Sequence, residues 1–433
     1  MEKLFKLNER GTNVRTEITA GITTFLAMAY ILAVNPGILS AAGMDAGAVF
    51  TATALSAAIA TLVMAFVANL PFALAPGMGL NAFLAFTVCL GMGKSWEFAL
   101  TAVFIEGIIF LILTAFNVRE AIVNSIPRTL KSAISVGIGL FIAFIGLQNA
   151  KIIVNNDATL VGIQIFKAGT PEALSAIVAV IGLVITSILL VFKVKGALLI
   201  GIIASTIIGI PFGVTQYFGG NFLPPSLGPT FWKFDFSSIF SLDFLVVMFT
   251  FLFVDMFDTV GTLVGCATKA GMIQDDGTVP NCKEALFADA VGTTVGAILG
   301  TSTVTTFVES SAGVMEGGRT GLTSLTTAVL FLVSLFLSPL FLAIPSAATA
   351  PALILVGFFM MSPVTDIDFN DPSEGIPAFL TLLMMITAYS ISEGIMWGML
   401  SFVLLKLVKR DFKELTVPTY IVAAIFLLKI IIG

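Results

Sequence analysis

Residues 300–313 read GTSTVTTFVESSAG and decide the fold, because they place extended-chain residues and a carboxylate inside a long apolar run. Their β-branched residues favour a strand over Thr301–Phe307. A short helix is predicted to follow over Val308–Met315, with Glu309 in its first turn. Strand and half-helix together are too polar for an ordinary membrane-spanning helix, so the segment is expected to face the protein interior.

A second interrupted segment, LPFALAPGMGLNAFLAFTVCLGMG, covers residues 70–93. Its Pro and Gly residues exclude a regular helix before Leu80, whereas Asn81–Leu90 can be helical. Extended backbone cannot face lipid because each unsatisfied N–H and C=O group costs several kcal/mol. A matched pair of such segments predicts a transporter site near the membrane midplane. The alternative is that both are connecting loops at the membrane surface.

The amino-acid composition is that of a membrane protein and excludes most classes of soluble protein. Of 433 residues, 58% are hydrophobic and 11% charged, with a mean hydropathy of +1.06, whereas soluble proteins carry about a quarter charged residues. Apolar runs of membrane-spanning length recur from Thr16 to Ile432, and we predict an all-α polytopic membrane protein with about 14 transmembrane segments. Histidine is absent and the three cysteines are far apart, so no metal site and no histidine proton relay are expected.

The polar, Gly- and Pro-rich linker 215–240 divides the chain into two halves, 1–214 and 241–433. Seven spans in each half would invert one half relative to the other. A weak repeat supports this: IPRTLKSAISVGIGLF (126–141) and IPSAATAPALILVGFF (344–359) share an Ile-Pro start and later Gly and Phe positions.

Basic residues orient the chain in the membrane. Lys3, Lys6, Arg10 and Arg15 lie before the first apolar segment and place the N-terminus in the cytoplasm by the positive-inside rule. A multi-pass protein of the cell membrane is therefore expected. The topology beyond Ser362 stays open.

Four carboxylates inside apolar segments are candidates for function. The run FLFVDMFDTVGT (251–262) carries Asp255 and Asp258 one turn apart on one helix face. One span separates Asp258 from Glu309, so the two can meet across a cavity and hold one exchangeable proton. Asp289, in FADAVG, is a further candidate. The alternative is that these carboxylates are structural and are satisfied by Ser and Thr hydroxyls.

Residues around the half-helices suit a small, flat, polar ligand. The Asn81 amide can both donate and accept hydrogen bonds. Phe83 and Phe307 can form a stacking wall, and Thr306 can supply a hydroxyl. Aromatic residues at such positions also serve ordinary packing.

Four long motifs stand at the parts of the chain singled out above: TEITAGITTFLAMAYILAVNP (16–36), APGMGLNAF (75–83), FVDMFDTVGT (253–262) and FADAVGTTVGAILGTSTVTTFVESSAG (287–313). They strongly resemble the AzgA-like purine permeases of the nucleobase–ascorbate/uracil permease superfamily, and the resemblance covers essentially the whole chain. It implies a 7+7 inverted repeat with short β-strands in segments 3 and 10. It also implies a uracil-permease-like core domain and gate domain. The core would span about 16–116 plus 241–343, and the gate about 128–214 plus 346–433.

The resemblance further implies import of adenine, guanine or hypoxanthine by proton symport, with the core moving against the gate in an elevator-like or rocking motion. It implies no cofactor beyond the proton gradient, no nucleic-acid partner, and a homodimer formed through the gate domain. Sodium coupling remains open, and so does the preferred purine.

Site residues carry over where the motifs match. Glu309 in TTFVES matches the purine-binding glutamate of the tenth segment, and Asp258 in DTVG matches the acidic position of the eighth, with Asp255 ranked second. Asn81 in GMGLNAF matches the asparagine of the third segment. The proton-coupling candidates are these three carboxylates together with Asp289.

The first segment is implied more weakly. Ala29 and Tyr30 fall where that segment approaches the substrate site of the family.

Three other functions compete with purine import. An anion transporter of the sulfate-permease type shares the fold but should avoid two acidic residues in its site. A pyrimidine or xanthine permease would use the same architecture. An integral-membrane enzyme would need a nucleophile or metal constellation that the sequence lacks, so no enzymatic activity is expected.

Overall fold

The computed structural model describes residues 2–115, 128–156, 159–164, 170–216, 222–272, 279–412 and 415–432. Parts of three predicted features lie outside these residues: positions 217–221 of the linker, the start of the repeat stretch at 126–127, and the predicted domain limits 116 and 433.

The described chain is mostly helical. In its first half the helices are α1 (Glu2–Phe5), α2 (Val14–Met28), α3 (Ile31–Ser40), α4 (Ala46–Val63), α5 (Met78–Ala82), α6 (Trp96–Ala115), α7 (Arg128–Asn149), α8 (Pro171–Val191) and α9 (Ala197–Gly209). In its second half they are α10 (Leu242–Ala270), α11 (Cys282–Leu299), α12 (Ser310–Met315), α13 (Gly321–Ser334), α14 (Ser338–Leu342), α15 (Ser346–Phe359), α16 (Pro372–Thr387), α17 (Ile391–Lys409) and α18 (Val417–Ile432). Within the described ranges, eight helical stretches are long and apolar enough to cross a membrane.

Four short strands accompany the helices: β1 (Leu74–Pro76), β2 (Ile153–Asn156), β3 (Leu160–Ile163) and β4 (Val304–Thr306). The strands β2 and β3 form a local hairpin. The other two lie about 230 residues apart in sequence and pair antiparallel, with Ala75 opposite Thr305. Backbone hydrogen bonds continue the pairing at both ends, from Gly77 N to Thr303 O (3.0 Å) and from Phe307 N to Ala73 O (3.0 Å).

Threonine side chains close the outer edges of this strand pair. The Thr61 hydroxyl, on α4, accepts a hydrogen bond from Leu74 N (3.0 Å) and donates to Leu74 O (3.2 Å). The Thr293 hydroxyl, on α11, does the same for Val304 (3.3 and 3.2 Å). Leu74 and Val304 are therefore satisfied without water, as extended backbone inside a membrane protein requires.

The two half-helices differ in their limits from the sequence expectation. The first begins at Met78 instead of Asn81, because Gly77 is extended and its carbonyl accepts from Asn81 N (2.9 Å). It continues as a π-helix over Phe83–Gly91. The second begins at Ser310 instead of Val308, so Glu309 is the residue immediately before α12.

A carboxylate on α2 holds the segment that follows α12. Glu17 is fully buried, and its side chain accepts hydrogen bonds from Arg319 N (2.8 Å) and from the hydroxyls of Thr320 (2.8 Å) and Thr323 (2.6 Å). Arg319 in turn donates from Nη1 to Val314 O at the end of α12 (2.7 Å). The first span therefore fixes the C-terminal end of the half-helix that follows Glu309.

Helices of the remaining chain form a second packed group. α15 packs against α7, α8 and α9, and α16 packs against α7 and α17. Helix α11 packs against α4 and α6, and α4 and α11 pack against the strand pair.

We expect Gly313→Ala to destabilise the protein, because α12 approaches α2 too closely for a side chain at this position. A Cβ on Gly313 would collide with the Thr24 hydroxyl and lie 2.5 Å from Ala20 O. Overpacking of this kind costs about 1–3 kcal/mol. The midpoint of thermal unfolding in detergent measures the loss.

Gly37→Ala is the matched control. Gly37 is also helical and exposed, and a Cβ there would meet nothing within 4 Å. Its unfolding midpoint should stay level or rise, since alanine is favoured over glycine in a helix by up to about 1 kcal/mol. Equal midpoints for both variants would contradict the close-packing explanation.

Candidate functional site

Glu309 and Tyr30 meet where the second interrupted segment turns into α12. Tyr30 lies in the break between α2 and α3 and is fully buried, whereas Glu309 is half-buried. The Tyr30 hydroxyl donates a hydrogen bond of 2.6 Å to Glu309 Oε1. A hydrogen bond to a carboxylate is short and strong, so Tyr30 fixes the orientation of Glu309.

Asp258 approaches the same region from α10. It is half-buried, and the Thr305 hydroxyl lies 3.4 Å from its Oδ2 atom. Asp258 is also within electrostatic range of Glu309 and Asp289. Asp289 also shares a hydroxyl with Asp255, so the structure brings all four predicted carboxylates into one region.

The strand hydroxyl that reaches Asp258 belongs to Thr305, whereas the predicted ligand contact Thr306 is the next residue of β4. Successive side chains of a strand point to opposite faces, so Thr306 lies on the other face of β4. It is buried, and its hydroxyl has no hydrogen-bond partner among the described residues.

A second carboxylate pair lies behind Asp258. Asp255 and Asp289 are fully buried, and the Thr259 hydroxyl lies 3.1 Å from one and 2.7 Å from the other. One hydroxyl has one proton, so it can donate to only one of the two carboxyl oxygens at a time. Thr259 therefore joins α10 to α11 through a shared polar contact.

Asn81 links the two interrupted segments. It is fully buried in α5, its Oδ1 accepts a hydrogen bond from the Ser302 hydroxyl, and its Nδ2 donates to Pro76 O (3.4 Å). Its amide is therefore engaged on both sides, and it positions the chain that enters β4.

The predicted apolar contacts are all buried. Phe83 packs edge-on against Phe251 of α10, with ring centroids 4.8 Å apart. Phe307 directly follows β4, and Ala29 precedes Tyr30 in the break of the first span.

The sequence offered Ser and Thr hydroxyls as partners of the carboxylates, but it did not predict the individual pairs. The Thr303 hydroxyl donates a hydrogen bond to Glu106 (3.0 Å). The hydroxyls of Thr305 and Thr259 lie within hydrogen-bond distance of Asp258 and Asp255, respectively. The Ser/Thr richness of 300–313 was the available signal, but it does not say which hydroxyl meets which carboxylate. Within the described residues, no group of His, Cys, Asp and Glu could hold a metal ion.

Comparison with known proteins assigns the chain to a family. Residues 15–397 match the family model described as "Permease family". This chain belongs to that permease family.

Two relatives of the permease match it over nearly its whole length. Adenine permease AdeP of Escherichia coli K12 is 43% identical over 431 residues, which cover 100% of this chain and 96% of the relative. Guanine/hypoxanthine permease PbuG of Bacillus subtilis 168 is 44% identical and is covered to 99%, as is this chain. The permease is thus a transporter and not an enzyme.

A solved structure shares the fold. The transmembrane domain of the cyanobacterial bicarbonate transporter BicA superposes with a TM-score of 0.67, covering 88% of the permease and 97% of that chain at 16% identity. At this identity the likeness concerns the fold alone.

We expect Thr259→Val to destabilise the permease, because it removes the hydroxyl between two buried carboxyl groups. Loss of a buried hydrogen-bond donor costs about 1–3 kcal/mol. Thr259→Ser keeps the hydroxyl and should lose no more than a methyl contact, about 1 kcal/mol. Thermal unfolding of both variants in detergent measures the difference in stability. A valine variant as stable as the serine variant would show that the Thr259 hydroxyl does not stabilise the folded protein.

Proposed function

We propose that the permease imports purine nucleobases, that is adenine, guanine or hypoxanthine, by proton symport. The observation that carries the proposal is the 43–44% identity, over the whole chain, to relatives named for adenine and for guanine and hypoxanthine. The geometry around Glu309 supports it.

Glu309 suits a purine ring. A carboxylate accepts two N–H hydrogen bonds side by side, and purines present ring and exocyclic N–H groups along one edge. Tyr30 occupies Oε1 and fixes the carboxylate plane, which favours one ligand orientation. In our proposal Asp258 lies at the opposite side of the bound ring, with Asn81, Phe83, Phe307 and Thr306 shaping the surrounding wall.

Proton coupling is assigned to the carboxylates. The chain has no histidine, so a carboxyl group is the natural proton carrier within the membrane. Asp258 and Glu309 face the site, and Asp255 and Asp289 lie behind them with Thr259 between. Groups that interact this closely bind protons as a set. Loading one proton together with the purine would make import depend on the proton gradient.

We further propose a 7+7 inverted repeat whose core domain moves against a gate domain, in an elevator-like or rocking manner. The closure of β1 by Thr61 and of β4 by Thr293 supports this, since equivalent features recur in both halves. The separate packing of α15 with α7, α8 and α9 is consistent with a gate. The proposed location is the cell membrane, with the N-terminus in the cytoplasm.

Uptake assays test the substrate and the coupling. Cells that lack their own nucleobase permeases and express this chain should accumulate labelled adenine, guanine or hypoxanthine, and a protonophore should abolish the accumulation. Uracil and bicarbonate are the comparison substrates for the pyrimidine-permease and anion-transporter alternatives. Accumulation of either in place of purines would overturn the substrate assignment, and accumulation that needs sodium instead of protons would overturn the coupling.

Glu309→Gln tests the site itself. We expect it to weaken purine binding about 10- to 100-fold, because it replaces a charged acceptor by an amide that can accept only through one oxygen. Calorimetric titration of the purified protein with the transported purine measures the change.

Glu316→Gln is the matched control. Glu316 lies just past the end of α12 and forms an ion pair with Lys195 (2.6 Å) away from the proposed site. It should bind purine like the unmodified protein. Equal affinities for the two variants would remove Glu309 from the site.

A further inference from the structure

The described linker residues 222–240 are unusually aromatic. Six of these nineteen residues are Phe or Trp, whereas aromatic residues make up 11% of the whole chain. Most of these rings are exposed: Trp232 is 57% exposed and Phe240 is 97% exposed. A connecting loop in water would not normally present so much aromatic surface.

The linker lies at the membrane face opposite the N-terminus. The Thr51 hydroxyl, near the start of α4, donates to Pro225 O (2.9 Å). α4 and its π-helical extension end at Ala68, and the next residue, Asn69, donates from Nδ2 to Phe5 O (3.2 Å). The 23 residues from Ala46 to Ala68 span about 35 Å at 1.5 Å per residue, which is enough to cross a bilayer core of about 30 Å.

The linker is fixed to α6 and to α11, which packs against the strand pair. Trp232 N donates to Ile298 O (2.8 Å) and the Thr230 hydroxyl to Leu299 O (2.9 Å), both in the last turn of α11. Asp235 N donates to the Thr101 hydroxyl of α6 (2.8 Å). These bonds place the linker against α6 and α11.

Within the linker, residues 231–236 read FWKFDF and contain both aromatic and charged side chains. Ring centroids of Trp232 and Phe234 are 5.4 Å apart, and those of Phe234 and Phe236 are 5.8 Å apart. Lys233 and Asp235 alternate in sequence with these rings, and Lys233 is exposed. Hydrogen bonds from the Ser237 side chain and backbone hold the pKa of Asp235 below its usual range, which keeps a charge at this position.

The aromatic row continues the outer surface of a membrane-spanning helix. The ring centroid of Phe104, on α6, lies 4.7 Å from that of Phe234 and 6.1 Å from that of Trp232. Four and eight residues further along the same helix face are Ile108 and Ile112, both exposed. In a membrane protein, the exposed side of α6 that carries Ile108 and Ile112 faces lipid or another chain. The aromatic row lies at the end of this side that is nearer the N-terminus of α6.

The depth of the contact agrees with the headgroup region. The linker bonds to α6 at Thr101, five residues or about 8 Å from the start of that helix, and the Phe104 side chain leans back towards the helix N-terminus. The rings therefore lie some way below the end of the helix, beside it instead of above it. Trp and other amphipathic aromatic groups prefer this boundary between headgroups and acyl chains.

We propose that residues 222–240 form a lipid anchor, in which the row Trp232–Phe234–Phe236 inserts into the headgroup–acyl boundary of the leaflet opposite the N-terminus. Its partner is the phospholipid bilayer. Because the linker is bonded to α4, α6 and α11, the anchor sets the depth of these helices, and of the strand pair between them, in the membrane.

Fluorescence quenching by brominated phosphatidylcholine tests the anchor. The chain has three tryptophans, Trp96, Trp232 and Trp397, so Trp96→Phe with Trp397→Phe leaves Trp232 as the reporter in nanodiscs. A ring roughly 5–10 Å below the surface should be quenched about twofold more by bromine near the headgroup than by bromine near the acyl chain end. The aqueous quencher iodide should have little effect.

A matched reference lies on the same exposed side of α6. Ile108→Trp, with all three natural tryptophans replaced by Phe, reports from near the middle of the 20-residue helix α6, about 6 Å deeper than Phe104, and should show the reverse order of quenching. Phe236→Trp in that same tryptophan-free background reports from the other end of the row and should behave like Trp232.

The outcomes separate the possibilities. Strong iodide quenching without lipid quenching would place the linker in water and overturn the proposal. Quenching by neither agent would mean that the rings are covered by protein, which also overturns it. Stronger quenching from the acyl chain end than from the headgroup would exclude an interfacial position. If the double phenylalanine variant does not fold, Trp232→Phe in the otherwise unmodified protein gives the contribution of Trp232 to each quenching curve by difference.

Discussion

The antiparallel pairing of β1 with β4 is the interaction on which the rest of the structure depends. Two strands of three residues each lie inside a membrane protein, where bare N–H and C=O groups are costly. The strands satisfy one another on their inner edges, and Thr61 and Thr293 satisfy Leu74 and Val304 on the outer edges. Because the partner strands come from the two halves of the chain, this pairing also holds the halves together.

The strand pair places the polar groups of the site. Directly after β4 the chain turns into α12, so Glu309 lies at a junction where its side chain reaches Tyr30. Thr305 faces Asp258, and Asn81 bridges from the first half to Ser302 just before β4. A helix through the same residues would turn these side chains to several directions. Extended backbone that ends in a short helix instead lets these polar side chains approach the same region of the protein interior.

Much of this arrangement could be predicted from local sequence. The Pro and Gly residues of 70–93 and the β-branched run of 300–313 indicate interrupted segments, and the structure has β1 and β4 there. The partner of each polar group could not be predicted, because it depends on strand register. Which of Thr305 and Thr306 reaches Asp258 depends on that register, since a shift of one residue reverses the face of a strand. The hydrogen bonds that Glu17 accepts from Arg319 and Thr320 could not be predicted either, because these partners lie about 300 residues away in sequence.

The separation of the two strands has a consequence for biosynthesis. A ribosome that adds about 5–20 residues per second needs roughly ten to forty-five seconds to advance from β1 to β4. During that time the third segment has been made, but the strand that completes it does not yet exist. The inner edge of β1 therefore stays without its partner strand until synthesis of the second half has reached β4, so the site can be completed only late in synthesis.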